Sequence, residues 1–276
     1  MVATPVGNLA DVTLRALAVL ASADVVAAED TRITSVLLRH HGIATRPISL
    51  HEHNEVRRAT QVVEWLHAGK SVALVSDAGT PAISDPGARV VAAVHAAGLP
   101  VAPIPGANAA IAALSAAGLD AAHFVFLGFL PTQRKARRES LAQMATVPAA
   151  LVVYEAPHRV RATVNDLTEA LGGHRRLVVA RELTKKFETI ARMSLAEAGE
   201  WFAADAHRER GEFVLVVDAP GEAAKGEPGG LDVRRLLAAL IEELPPARAA
   251  RVAAAATGLP RDALYAQALA LKPVRR

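Results

Sequence analysis

The chain has 276 residues, 51% hydrophobic but only 4% aromatic, so two domains of ordinary size can bury cores built from Ala, Val and Leu. It contains no Cys, which excludes disulfides, thiol nucleophiles and Cys-ligated zinc and suits a reducing, cytoplasmic setting. A formal net charge of +3 allows an anionic partner without requiring one.

The start of the chain, MVATPVGNLADVTLR, lacks a basic segment followed by an apolar block and does not read as a signal peptide. Val2–Thr4 is the first strand candidate, with Met1 already inside it. Val25–Ala28, Val72–Val75 and Val101–Ile104 are the next three. Between them the pattern predicts helices over Val12–Ala21, capped by Asp11, and over Glu55–His67, Gly87–Ala96 and Asn108–Ala117. Strands alternating with helices predict parallel pairing and an α/β layer. Residues 90–119 carry no Asp, Glu, Lys or Arg, yet Gly98, Pro100, Pro103, Pro105 and Gly106 cut the stretch into short elements, so no membrane span is expected.

Gly118 opens a second unit, with strands expected at Phe124–Leu127, Leu151–Tyr154, Leu177–Ala180 and Phe213–Val217. Helices are expected at Gln133–Met144, His158–Leu171 and Ser194–Phe202. Residues 219–230 read as a Pro/Gly-rich linker. Beyond it Val233–Leu244, Pro246–Ala256 and Pro260–Leu271 predict a small helical, helix-turn-helix-like appendage. The expected domains are therefore 1–117, 118–220 and 231–276.

Ligands of open parallel α/β sheets bind where strands end and helices begin. Those ends are rich in small and turn-forming residues: Thr4–Asn8, Glu29–Arg32, Ser76–Thr80, Pro105–Asn108, Gly128–Pro131, Tyr154–Arg159 and Arg181–Thr184. Any one of them is explained by ordinary turn chemistry. Together they predict loops that hold a flat, polar small molecule by backbone groups, with a carboxylate for a donor or a positive charge. There is no phosphate-cradling P-loop and no GxGxxG.

Read in order, ATPVGNLADVTLRAL, AAEDTR, SLHEHNE, LVSDAGTPAISDPG, PIPGANAAIAAL, FVFLGFLP, YEAPHR, RELTKKFET and GEFVLVV resemble the tetrapyrrole-methylase superfamily, in particular its ribosomal RNA branch. The resemblance covers essentially the whole chain, helical tail included. It implies a two-domain α/β fold with a cofactor cleft between the domains and a small C-terminal helical domain. It also implies S-adenosyl-L-methionine in that cleft and 2′-O-methylation of a cytidine ribose in the decoding region of 16S rRNA, within the small ribosomal subunit. The superfamily's Gly-Asp-Pro cofactor loop falls on Ser76-Asp77-Ala78. On this resemblance Asp77, Ala78 and Thr80 contact the cofactor, Pro5, Gly106, Ala107 and Tyr154 line the same pocket, and a homodimer is compatible.

Methyl transfer to a ribose hydroxyl needs alignment and is helped by a base. His51-Glu52-His53-Asn54-Glu55, Glu29-Asp30-Thr31-Arg32 and Glu155 with His158-Arg159 all offer candidates that spacing does not separate; His53 and Glu55 are taken as catalytic, with Arg32 or Arg159 holding phosphate. Glu55 can equally open a helix. His51 and His53 lack a clear third ligand, so no metal is expected. Four cations in Gln133–Arg138, namely Arg134, Lys135, Arg137 and Arg138, suit an RNA backbone or simply a solvated helix face. Few aromatics argue against a broad base-stacking platform, so RNA would be gripped through backbone and shape. Two other readings stand beside this one: a small-molecule tetrapyrrole methylase, and a non-catalytic RNA-binding scaffold.

Overall fold

Two sheets organise the first 220 residues of the computed structural model, which describes residues 1–119, 122–220 and 233–271. Contacts divide the chain into two units, Met1–Pro220 and Gly221–Arg276.

The first unit begins with helix α1 (Leu14–Ser22), strand β1 (Val25–Ala28), helix α2 (Thr31–His40), strand β2 (Pro47–Ser49), helix α3 (Glu55–His67) and strand β3 (Val72–Val75). Helices α4 (Ala88–Ala96) and α5 (Ala109–Ala117) follow. The strands pair in the order β2-β1-β3, all parallel, with Val26 opposite both Pro47 and Ala73. The expected strands at Val2–Thr4 and Val101–Ile104 shrink to a single parallel bridge, Val2 to Ile104. The backbone nevertheless joins the sheet there: Val2 N donates to Leu74 O at 2.8 Å and Ile104 N to Met1 O at 2.8 Å. Pro103 and Pro105 have no N–H for a ladder, and Thr4 turns away to pair antiparallel with Gly79, so neither segment extends further.

Helix α2 and strand β2 have no counterpart in the sequence reading. Asp30 starts α2, its carboxylate accepting from Arg32 N at 2.8 Å. Thr34, Leu37 and Leu38 face inward while Ile33 and Val36 stay half exposed, which blurs the apolar stripe.

The second sheet contains β4 (Phe124–Phe129), β5 (Ala150–Glu155), β6 (Arg176–Arg181), β7 (Thr189–Ser194) and β8 (Phe213–Val217), in the order β4-β5-β8-β6-β7. Only β4 and β5 run parallel; β8 inserts antiparallel between β5 and β6. Side chains alternate across the sheet. Leu151, Val153, Leu177, Val179, Leu215 and Val217 face helices α6 (Arg134–Met144), α7 (Val160–Leu171) and α8 (Leu195–Ala203). Val152, Val178, Ala180, Val214 and Val216 face Ala110, Ala113 and Ala117 of α5. The alanine face of α5 thus covers the sheet that follows it in sequence, and ties the two α/β halves into one unit. β7, an edge strand with alternating exposure, is absent from the sequence reading.

The second unit holds α9 (Val233–Glu243), α10 (Pro246–Thr257) and α11 (Arg261–Leu271) around Leu237, Ala250, Ala253, Leu264 and Ala268. Pro246 opens α10, and Gly258 closes it in the left-handed conformation. Apart from Ala219 and Pro220, the expected linker 219–230 lies outside the described residues. No helix among the described residues is long and apolar enough to cross a membrane.

Candidate active site

A cavity of about 350 Å³ opens between the two sheets of the first unit. One wall comes from the ends of β1 and β3, where Glu29 and Asp77–Thr80 sit, and from Ile83–Asp85. Asn108 and Ala109, at the start of α5, continue it. The opposite wall carries Phe129, Tyr154–Pro157, Ala180 and Leu183, with Glu212–Val214 leading into β8. Its size falls within the range of small-molecule sites.

The backbone is strained on both sides. Ala82 and Ser84 have φ of 68° and 67°, and Glu182 and Thr184 have 52° and 66°. Each pair flanks a lining residue, Ile83 or Leu183. Such conformations cost on the order of 1–3 kcal/mol each and concentrate where a ligand is gripped. Gly128 is required where the walls meet: a Cβ there would lie 2.8 Å from Ser84 Oγ, and its φ is +61°.

Three carboxylates converge on the first wall. Asp77 Oδ1 accepts from Asp30 N at 2.8 Å, and Asp77 N donates to Glu29 Oε2 at 3.3 Å. Burial pushes Glu29 and Asp77 above the usual carboxylate range. Asp85 rises to about 6, first through burial and then through the negative charge of Glu29, against a Ser76 hydroxyl that favours its ionised form. Asp30 goes the other way, to about 2, because Arg32 holds it. Across the cavity Tyr154 Oη accepts from Ala110 N at 3.1 Å, and its ring packs edge-on against Phe126 and Phe129. Burial raises the Tyr154 hydroxyl. A cleft with three carboxylates on one wall, and on the other aromatic and aliphatic groups beside the paired Lys185 and Glu212, suits a flat molecule that carries positive charge.

Comparison with known proteins places this arrangement. The model of the Tetrapyrrole (Corrin/Porphyrin) Methylases matches residues 1–199, and that of the RsmI C-terminal HTH domain matches 227–272. Ribosomal RNA small subunit methyltransferase I of Vibrio cholerae serotype O1 is 47% identical over 265 residues, covering 96% of this chain and 92% of that one. The protein of the same name from Pseudomonas aeruginosa is 47% identical over 270 residues, covering 98% and 95%. The chain belongs to the ribosomal RNA small subunit methyltransferase I family. Solved structures share its fold at lower identity. Cobalt precorrin-4 methyltransferase aligns with a TM-score of 0.59 at 17% identity, over 78% of this chain and 92% of that one. Uroporphyrin-III C-methyltransferase from Thermus thermophilus aligns at 0.56 and 21%, over 79% and 92%.

Within this member of the methyltransferase I family, the residues singled out in the sequence separate into groups. Asp77, Ala78, Thr80 and Tyr154 line the cavity together. Ala107 stands just behind, its carbonyl accepting from Thr80 Oγ1 at 3.0 Å. Gly106 does not line the cavity; it packs against Ala3, whose Cβ would lie 2.9 Å from an added Cβ. Pro5 lines a neighbouring cavity of about 270 Å³, which shares Val6 and Asp77 with the first.

The proposed bases stand elsewhere. His53 is exposed in the turn before α3 and lines neither cavity. Glu55 is buried, and its Oε1 accepts from Gly87 N at 2.8 Å and Arg89 N at 3.1 Å. It caps α4, a structural task that occupies the carboxylate. His51 and His53 stack edge to face, and among the described residues no group of three metal-ligating side chains forms.

The basic residues are mostly spoken for. Arg137 is buried against Asp166, with its guanidinium also on the carbonyls of Pro131 and Thr132. Arg134 pairs with Asp166 and Glu169, and Arg138 with Glu169. Lys135 is exposed and, among the described residues, forms no ion pair. Arg159 folds under the end of β4, donating to Leu130 O at 2.6 Å and lying beside the buried Glu155. Arg32 is 88% exposed but clasps Asp30 through its Nε.

Glu29 is one of several candidate bases in the sequence, whereas Asp85, Phe129 and Leu183 are given no individual role there. The first two fall in turns visible in the sequence, but linear order does not show that residues 56 positions apart converge.

Proposed function

We propose that this protein transfers the methyl group of S-adenosylmethionine to the 2′-oxygen of a cytidine ribose in 16S rRNA of the small ribosomal subunit. One observation carries the reading: an acid-lined cavity between the two sheets, in a chain 47% identical to curated rRNA methyltransferases over nearly its whole length.

The residues fit the group. When bound, S-adenosylmethionine supplies an electrophilic methyl on a positively charged sulfur. The carboxylates of Glu29, Asp77 and Asp85 complement its sulfonium and ammonium charges. Ala78, Gly79, Thr80 and Ala109 let backbone groups approach closely, and Tyr154, Phe129 and Leu183 supply an apolar face. Ser84 and Gly128 approach each other closely where the two walls meet. Arg32 and Lys135 remain outside as exposed cations for phosphate. A protein acting on ribosomal RNA in this way works in the cytoplasm.

The test is methyl transfer from radiolabelled S-adenosylmethionine to isolated 30S subunits, followed by mapping of ribose methylation. Label at a single cytidine 2′-oxygen is expected. Label on a base, on a precorrin instead of the subunit, or on nothing would overturn the reading.

A further inference from the structure

Exposed aromatic rings are scarce in this chain, and their places in the fold separate them. Among the described residues the exposed Phe and Tyr side chains are Phe124, Phe129, Phe187 and Tyr265. Phe124 begins β4, at the end of the sheet away from the cavity, and Tyr265 belongs to the helical unit. Phe129 lines the cavity and packs edge-on against Tyr154. Phe187 is left, at 65% the most exposed of the four.

Strand register carries Phe187 to the rim of the cavity. Along one end of the second sheet Phe129 stands opposite Tyr154, Glu155 opposite Phe213, and Arg181 opposite both Phe213 and Thr189. Residues 182–188 join β6 to β7 and continue that same edge. Leu183 and Lys185 of this loop line the cavity. The stem of Lys185 also packs on Gly7 of the first half, where an added Cβ would lie 2.5 Å from Lys185 Cγ. Phe187 follows Lys185 by two residues, a span of at most about 7 Å.

The loop is pinned on every side but that ring. Glu188 Oε2 accepts from Thr184 N at 2.6 Å, and Lys185 bridges Glu182 and Glu212. The Phe187 carbonyl accepts from Arg181 Nη1 and Thr189 Oγ1, both at 3.2 Å. Strain at Glu182 and Thr184 and all these bonds thus hold an apolar ring mostly in water. Beside it the exposed Lys186 brings Nζ to 5.6 Å from the ring centroid and, among the described residues, forms no ion pair. A flat apolar face next to a cation is the complement of a nucleotide, with its π-faced base and its phosphate.

We infer that Phe187 stacks on an unpaired base of the rRNA beside the target nucleotide, with Lys186 facing the adjoining phosphate. This rests on the proposed function. One ring holds one base, which fits a chain too poor in aromatics for a broad platform. The stacked neighbour fixes where the strand enters the cavity. It is bound alike before and during methyl transfer, so its loss acts on KM for the subunit and not on kcat.

The test compares Phe187→Ala, Phe187→Leu and Phe187→Trp in the full-length protein, with 30S subunits as substrate at saturating S-adenosylmethionine. In the Ala and Leu variants KM for the subunit should rise by about 5- to 100-fold. Their kcat should stay within about threefold of wild type, and their calorimetric dissociation constant for S-adenosylmethionine within about twofold. The Trp variant should keep the wild-type KM. Lys186→Ala should lower the salt slope of subunit binding by about one. A wild-type KM in the Ala variant would overturn the inference. So would a wild-type KM in the Leu variant, which would mean an apolar protein contact in place of stacking. Loss of cofactor affinity in parallel with KM, or a changed sedimentation coefficient in the Ala variant, would also reject it, and an unchanged salt slope would reject the phosphate contact. A wild type that methylates no 30S subunit would refute the proposed function itself.

Discussion

Glu55 illustrates how far a residue's chemistry can be read before its neighbours are known. A buried carboxylate next to two histidines has the composition of a base, yet its oxygen is committed to the N–H groups that open α4. Those donors have no partner inside the helix, and Gly87 is buried away from solvent. Glu55→Ala should therefore lower unfolding free energy by about 1–3 kcal/mol in urea titrations. Turnover measured well below the melting temperature should stay near wild type. A hundredfold loss of turnover with unchanged stability would restore Glu55 to the chemistry. The Asp77 loop was legible for a different reason. Its small residues and carboxylate follow an apolar strand directly, so one short stretch of sequence contained the whole signal. Asp85 and Glu29 needed the fold to bring them together.

Helix α6 makes the corresponding point for an element. Its cations at 134, 135, 137 and 138 look like a phosphate track, but α7 packs beside it and presents Asp166 and Glu169. Arg137 enters the interior because Asp166, 29 residues away in the chain, is already there to receive it. No local pattern announces that partnership. Arg137→Met, leaving the buried Asp166 with only the solvent-exposed Arg134 as its cation, should cost about 3 kcal/mol. Lys135→Glu should leave stability unchanged and weaken 30S binding, with a salt slope smaller by about one. A variant of Lys135 with the wild-type slope would place RNA on another face. Neutralising all four positions together would mix these two effects and could not separate RNA contact from unfolding. The same dependence on distant partners explains the missed strand β7. It lies at a sheet edge, half exposed, and only its pairing with β6 identifies it.

At the scale of the whole molecule, alternating apolar runs announced two layered α/β halves and a helical end, but not that β8 returns between β5 and β6 or that α5 covers the second sheet. Those placements bring three carboxylates into one cleft, and the consequence is a pH dependence of stability. Asp85, raised from 3.8 to about 6, contributes stability that is complete below its unfolded value and is lost as pH climbs through about 6. Glu29 and Asp77 act in the same sense. Asp24, Asp30, Glu182 and Glu197 are shifted down, so their contribution is already full above about 4.5 and disappears only on acidification. Between about pH 4.5 and 7 the raised group dominates the slope, moderated by solvent at the open side of the cavity. The melting temperature of the ligand-free protein should therefore decline across that interval. Saturating S-adenosylmethionine should stabilise more at pH 7 than at pH 5, because its positive charge favours the ionised carboxylates. Asp85→Asn should flatten both dependences; a slope that survives this substitution would mean that groups outside the cleft set the response.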